Sequence, residues 1–379
     1  MPASGADFGV GEGRLKALFD AVGAEWLDLP VLHPADPFLE TAGEDIRRRM
    51  FVTEGPTGER LALRPDFTIP VCLHHLAHAA APRCYAYEGV VFRRHDTGSP
   101  ERLETGYEDI GRASAPEVDA EILKLAVSGV SSLGAGDINV QVGDIALFTA
   151  LLQALEIPPA WQRRLRRAFG LPARMAAHLA RLSSPREGRP ALDAELRKAA
   201  EAGDRDALTG ALQARLAAQG YLDPGRSATE IAERYLDQQA LTETRLSPRV
   251  IEALRAFLSL EAEVDRAADE LNRFAQGAGV DLGPALEALA ATAEAIGTGS
   301  PGVRIRFAAG FGRPLDYYTG LVFDVRAQNY PYPLAGGGRY DRLMQVLGAP
   351  ASIPAIGFTI RLDEPSPVGA QAAGAGENA

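Results

Sequence analysis

At 379 residues, 46% of them hydrophobic and 23% charged, the chain has an ordinary globular composition and roughly two domains' worth of length. A formal net charge of −11 speaks against a protein whose main work is gripping a polyanion, and no apolar run reaches the roughly 18 residues a membrane helix needs. Only two cysteines, Cys72 and Cys84, argue against a disulfide scaffold and fit a reducing cytoplasm, and the opening MPASGADFGVGEGR lacks the basic-then-apolar pattern of a signal peptide.

Residues 12–24 read as a short amphipathic helix, with Leu15, Leu18, Phe19 and Val22 on one stripe. The proline-rich EWLDLPVLHPADPFLE reads as extended chain, and RMFVTEGPTGERLALRP as a hairpin turning at Gly55–Gly58. A helix is expected over 67–80. RCYAYEGVVFRRH and SPERLETGYEDIG form a long-looped antiparallel pair, a helix starts at Pro116, and INVQVGDIALFTALL is a strand running into another helix. From about 155 to 298, Ala, Leu, Arg and Glu dominate, so that stretch is expected to be all helix, with Val264, Ala268, Leu271 and Ala275 on one face. Period two returns in VRIRF and GLVFDV; LAGGGRYDRLMQVLG is expected to be a glycine turn into a helix, and IPAIGFTIRL a last strand. The expected organisation is an α+β core over 12–150 and 300–365, an antiparallel sheet flanked by helices. A helical insertion over 151–299 interrupts it, and a disordered tail over 366–379 follows.

The polar groups at the strand ends need a reason. LRPDFT places Asp66 and Thr68 just after a strand, and VFRR places Arg93 at a strand end. RLETGYEDIG spaces Glu104 and Glu108 four apart, on one strand face with Gly106 between them. GRPLDYYTGLVF brings Arg313, Tyr317 and Tyr318 to the mouth of another strand. Such a set suits an amino acid: carboxylates for an ammonium and a ring N–H, an arginine fork for the α-carboxylate, each charge-assisted bond worth about 1.5–3 kcal/mol. On spacing alone, unrelated salt bridges account for the same residues. AGGGRYDRL lacks the Lys–Ser/Thr of a phosphate loop and the glycine spacing of a dinucleotide fold, which leaves a close backbone approach to a small ligand or a tight turn. His74 and His78 are four apart on a helix, but with Cys72, His75 and Cys84 they fit no zinc module, and no metal site is expected. The runs Arg47–Arg49 and Gln162–Arg167 read as solvated faces.

The segments LPVLHPADPFLE, LALRPDFT, YEGVVFRR, ETGYEDIG and VDAEILKLA, with RPLDYYTGLVF and AGGGRYDRL after the insertion, resemble the catalytic domain of histidyl-tRNA synthetase, a class II synthetase. The resemblance implies a pocket for free L-histidine. It places Asp66, Thr68 and Glu104 near the ligand's α-amino group, Asp66 and Glu104 standing where the family has Glu and Gln. It sets Glu108 against the imidazole, Tyr317 and Tyr318 closing that end, Arg313 at the carboxylate, and Arg93 where the family contacts the ATP α-phosphate. Three departures speak against aminoacylation. Glu364 stands where the family's motif 3 arginine faces adenine, with Arg361 where it has a small residue. The loop after Arg93 is short and acidic where the synthetase meets the tRNA acceptor end, and no anticodon-binding domain is expected after motif 3.

A histidine pocket kept without nucleotide and RNA functions looks like the regulatory-subunit branch of this family, which pairs with ATP phosphoribosyltransferase. That branch implies a chain with no catalytic residues and no cofactor of its own, dimerising through roughly residues 12–40. Its implied partner is a short-form ATP phosphoribosyltransferase catalytic subunit in a hetero-octamer, with no nucleic acid and no membrane. It would be required for the first step of histidine biosynthesis and for feedback by histidine. Two other readings stay open: a histidine-activating enzyme, and a paralogue sensing an amino acid for another enzyme.

Overall fold

The computed structural model describes residues 8–362, apart from 42, 80, 95–98, 184–204, 219–228, 230, 233–234, 237–240, 242–243, 314, 328–329 and 331. Glu364, the centre of the loop after Arg93 and the expected tail therefore lie outside the described residues. The chain divides into two compact units, Met1–Leu151 with Ala256–Ala379, and Leu152–Arg255.

The strands in chain order are β1 (Glu25–Leu27), β2 (Leu32–Pro34), β3 (Val52–Glu54), β4 (Arg60–Leu63), β5 (Arg83–Phe92), β6 (Glu101–Ile110), β7 (Ile138–Asp144), β8 (Glu261–Glu263), β9 (Val303–Ala308), β10 (Leu321–Ala327), β11 (Ala335–Arg339) and β12 (Ala355–Arg361). Nine of them join in the order β1-β5-β6-β12-β11-β10-β7-β9-β8, and β2-β4-β3 form a small second sheet. Pairing is antiparallel except for β1 with β5 and β7 with β9. β12 lies beside β6, and β10 beside β7, so strands from both ends of the sequence close one sheet. Neither set alone has the strands to bury a face, and this is the α+β architecture expected from the sequence.

One face of the sheet is apolar and carries helices. Tyr107, Phe358, Phe323 and Val325 sit there, and helix Pro116–Ser132 packs across β10, β11 and β12. Phe19 of helix Phe8–Ala21 sets its ring 5.9 Å from Tyr107 and 6.0 Å from Phe358. A buried ion pair ties sheet to helix: Arg339 Nε donates to Asp119 Oδ1 at 2.9 Å, and Arg339 Nη1 donates to Asp341 Oδ1 at 2.9 Å. Asp341 in turn accepts the Ala355 amide, so the pair also pins the start of β12.

Three local expectations change. The proline-rich stretch after residue 25 is not simply extended: it holds β1, β2 and helix Asp36–Thr41, where Pro37 sits in the first turn and loses no bond it needs. AGGGR is not a turn but the fully buried strand β11. The stretch over 155–298 is not all helix, because β8 adds an edge strand to the sheet, and helices Ala267–Ala278 and Gly283–Ile296 fall in the first compact unit.

The second unit is helical where described. Helices Pro159–Ala168 and Pro172–Ser183 pack through buried Trp161, Leu165, Met175 and Leu179, with the His178 ring edge-on to Trp161 at 5.9 Å. Among the described residues, no helix is long and apolar enough to cross a membrane.

Candidate ligand pocket

The opposite sheet face holds a cavity, and the strand register explains why space exists there. Residues paired across a ladder point to the same side. One row across the sheet reads Tyr87, Gly106, Thr359, Gly336, Asp324. The next reads Tyr85, Glu108, Gly357, Gly338, Val322. Glycine thus recurs on three adjacent strands, and a floor of main chain replaces a layer of side chains. Larger residues would not fit: a Cβ at Gly336 would lie 1.7 Å from Arg313 Nη1, and one at Gly106 would lie 2.3 Å from the Tyr87 hydroxyl. The glycines of β11 are neither a phosphate cradle nor a turn. Gly336 among them clears room for Arg313.

The cavity above this floor measures about 270 Å³. That falls just below the roughly 300–1,000 Å³ of sites for drug-sized ligands, so its occupant is small. Asp66, Thr68, Arg93, Glu104, Arg313, Tyr317 and Tyr318 all line it. They come from the loop after β4, the first turn of helix Thr68–His78, the ends of β5 and β6, and the segment leading into β10. Residues separated by some 250 positions in the chain meet because β12 and β11 slot between β6 and β10.

Glu108 lies beneath the cavity rather than in its wall. At 1% exposure, its Oε1 accepts the Thr68 hydroxyl at 2.7 Å and the Tyr87 hydroxyl at 3.3 Å, and its Oε2 accepts the Tyr340 hydroxyl. Burial pushes its pKa up to about 7 despite those bonds. Tyr87 stacks on Phe67 at 4.4 Å and shares a hydrogen bond with Thr359, so this end is rigid.

The other charged groups divide into pairs and remainders. Asp66 Oδ1 accepts the Ile69 amide at 3.1 Å, capping the helix start, while the buried Oδ2 has no partner. Burial raises its pKa to about 6, although Arg93 pulls the other way. Arg93 donates through Nε to the Pro65 carbonyl and sits 3.7 Å from Glu104 Oε1 through Nη1. Arg313 donates through Nη1 to Asp324, leaving its buried Nε without an acceptor. Burial opposes the Arg313 charge, but Asp324 and the Tyr318 and Tyr317 oxygens more than offset it, so the pKa stays above the ordinary value. Tyr317 and Tyr318 hold their rings 4.9 Å apart, and Tyr317 meets Tyr340 edge-on at 5.9 Å.

Several lining residues escaped the sequence reading. Asp324 is the lone charge in the apolar run LVFDV, a signal that marks a residue needing a partner. Tyr340 directly follows the glycine strand. Arg49, taken as part of a solvated face, lines the cavity, as do Arg102 and Arg361. Of the other clusters, His74 and His78 simply stack at 4.4 Å, and Cys72 and Cys84 are free thiols. Arg163, Arg164 and Arg167 border a separate cavity in the helical unit.

Comparison with known proteins gives one consistent direction. The family model described as histidyl-tRNA synthetase matches residues 9–242 and 232–364. An ATP phosphoribosyltransferase regulatory subunit from Chelativorans sp. (strain BNC1) is 46% identical over 340 residues, covering 89% of this chain and 91% of its own. The same-named protein of Mesorhizobium japonicum is 45% identical over 359 residues, covering 92% and 95%. A crystal structure of an ATP phosphoribosyltransferase regulatory subunit/histidyl-tRNA synthetase from Bacillus halodurans matches in fold with a TM-score of 0.64 at 19% identity, over 96% of this chain and 80% of that one.

Proposed function

The chain belongs to the ATP phosphoribosyltransferase regulatory subunit family, built on the histidyl-tRNA synthetase fold, and from that premise we propose that it is the histidine-sensing, non-catalytic partner of an ATP phosphoribosyltransferase. In this role it supports a short-form catalytic subunit in the first step of L-histidine biosynthesis, the condensation of ATP with phosphoribosyl pyrophosphate. Binding of free L-histidine then reports end-product level through differential affinity for two states of the complex.

One observation carries the ligand assignment. A single small cavity holds a buried acceptor without a donor, Asp66 Oδ2, and a buried donor without an acceptor, Arg313 Nε. Buried polar atoms of opposite sense in one cavity fit a zwitterion, whose ammonium donates to Asp66 and whose carboxylate accepts from Arg313. At the Glu108 end, Thr68 and Tyr340 donate their hydroxyl hydrogens to the carboxylate and so present oxygen lone pairs to the cavity. An imidazole N–H donates to that surface. Tyr317 and Tyr318 supply flat aromatic walls of matching shape.

We infer that amino-acid activation has been lost. Arg93, which the resemblance places at the ATP α-phosphate, is engaged with Glu104 and the Pro65 carbonyl. The decisive experiment mixes the chain with a short-form catalytic subunit and follows phosphoribosyl-ATP formation with and without L-histidine. Stimulation by the chain and a histidine-dependent change in rate support the proposal; histidine-dependent ATP–pyrophosphate exchange by the chain alone overturns it.

A further inference from the structure

We propose that Asp324 is a positioning residue for ligand binding: it holds Arg313 by one corner of its guanidinium, so that the edge carrying Nε is presented to the ligand's carboxylate. The inference rests on the histidine reading above.

Sequence and register put the pair in place. Asp324 is the one charge in the strand run LVFDV, and alternation sends it to the pocket face. Across the ladder stands Gly336, where a Cβ would lie 1.7 Å from Arg313 Nη1 and 2.7 Å from Asp324 Oδ1. Bare main chain at that position lets the guanidinium lie against the carboxylate. Nη1 then has two acceptors on one strand, Asp324 Oδ1 and the Phe323 carbonyl at 3.4 Å. Asp324 is itself braced, because its Oδ2 lies 3.6 Å from Arg326 Nη2, two residues along the same strand.

A guanidinium is planar, so fixing one corner fixes the direction of the rest. Nε–H lies on the edge of the fork opposite Nη1, and that nitrogen is buried with no acceptor. Burial works against the Arg313 cation, and Asp324 is the largest of the groups that favour it.

Bare electrostatics and positioning predict opposite signs. As a charge in the wall, Asp324 repels a carboxylate on the ligand, and its removal tightens binding. As an anchor it strengthens binding, because an untethered arginine must give up rotamer freedom to reach the ligand.

The test is calorimetric titration of the full chain in wild type, Asp324→Asn, Arg313→Gln and the double variant. The ligands are L-histidine and L-histidinol, which has the same amine and ring with an alcohol in place of the carboxylate. Asp324→Asn is expected to lose about tenfold in L-histidine affinity while L-histidinol changes by no more than about threefold. Without Arg313 there is nothing left to position, so the double variant is expected to match Arg313→Gln within about twofold. Unchanged or tighter L-histidine binding by Asp324→Asn overturns the proposal, as does equal weakening of both ligands or a further loss in the double variant. Comparing the double variant with Arg313→Gln still decides the matter if Asp324→Asn, its buried guanidinium stripped of an acid partner, fails to fold. A wild-type chain that binds neither ligand overturns the histidine reading itself, a failure seen before any variant is made.

Discussion

Glu108 and Gly357 face each other across β6 and β12 with no space to spare: a Cβ at position 357 would lie 1.7 Å from Glu108 Oε2 and 2.6 Å from the Tyr107 carbonyl oxygen. The backbone contact cannot be relieved by rotating a side chain. Gly357→Ala is therefore expected to destabilise the chain by about 1–3 kcal/mol, the range for overpacking. It should also weaken L-histidine binding, because Glu108 must leave its three hydroxyl donors. Urea unfolding and calorimetry read the two effects separately.

Removing one of those donors tests the site more gently. Tyr340→Phe keeps the ring packed against Tyr317 but deletes a bond to a buried carboxylate. The expected cost is about 1.5–3 kcal/mol for a hydrogen bond to a charged group, less to the extent that Glu108 takes up a proton instead. The loss should therefore be larger at pH 8 than at pH 5 in denaturant titrations.

Three buried carboxyl groups give the unliganded protein a defined pH dependence. Burial raises Asp66 from 3.8 to about 6, Glu108 from 4.5 to about 7, and Asp144 from 3.8 to about 7. Between the ordinary and raised values the folded chain holds more protons than the unfolded one, so these groups lower stability as pH rises from about 4 to 7. Their contribution is fully present below the ordinary pKa values and lost above the raised ones. Glu108→Gln should flatten the stability slope between pH 5 and 7.5; an unchanged slope would show that Glu108 titrates normally.

The Arg339–Asp119 pair is almost fully buried, and breaking it leaves the buried guanidinium with Asp341 as a remaining acidic partner. Asp119→Ala is expected to cost about 3 kcal/mol or more, whereas replacing both partners with apolar residues should recover much of the loss. A double-mutant cycle by urea unfolding checks this.

Ligand linkage offers a direct reading of the aromatic wall. L-histidine at a hundred times its dissociation constant should stabilise the wild-type chain by about 2.7 kcal/mol. Tyr317→Ala removes a buried ring that touches both Tyr318 and Tyr340. Its affinity for L-histidine should fall by at least about tenfold; equal affinity in both proteins would remove Tyr317 from the pocket.

Legibility in the sequence followed side-chain signal. LVFDV alternates plainly, and its two faces were readable before the sheet was seen: Leu321, Phe323 and Val325 to the helices, Val322 and Asp324 to the pocket side. Asp66, Thr68, Glu104 and Arg313 were legible as polar residues at strand ends, and their convergence followed from the family resemblance rather than from spacing. β11 was unreadable for the opposite reason. AGGGR has almost no side chains, so it shows neither period two nor β-branching, and its strand state is imposed by β10 and β12 on either side. β8 was hidden likewise: three residues, Glu261–Glu263, carry too little pattern to stand out from flanking helices. The pairing of Arg313 with Asp324 joins two residues eleven apart, which only the strand geometry reveals.

At Gly106, Gly336 and Gly357 the base of the pocket is main chain, with no side chain there to rotate, lengthen or retreat. A mutation there can only shrink the chamber or bend a strand. Drift toward a different metabolite must therefore come from the movable rim, residues such as Tyr317, Tyr318 and Arg361. Relatives with altered ligand preference are expected to differ at these rim positions while keeping the bare strands intact.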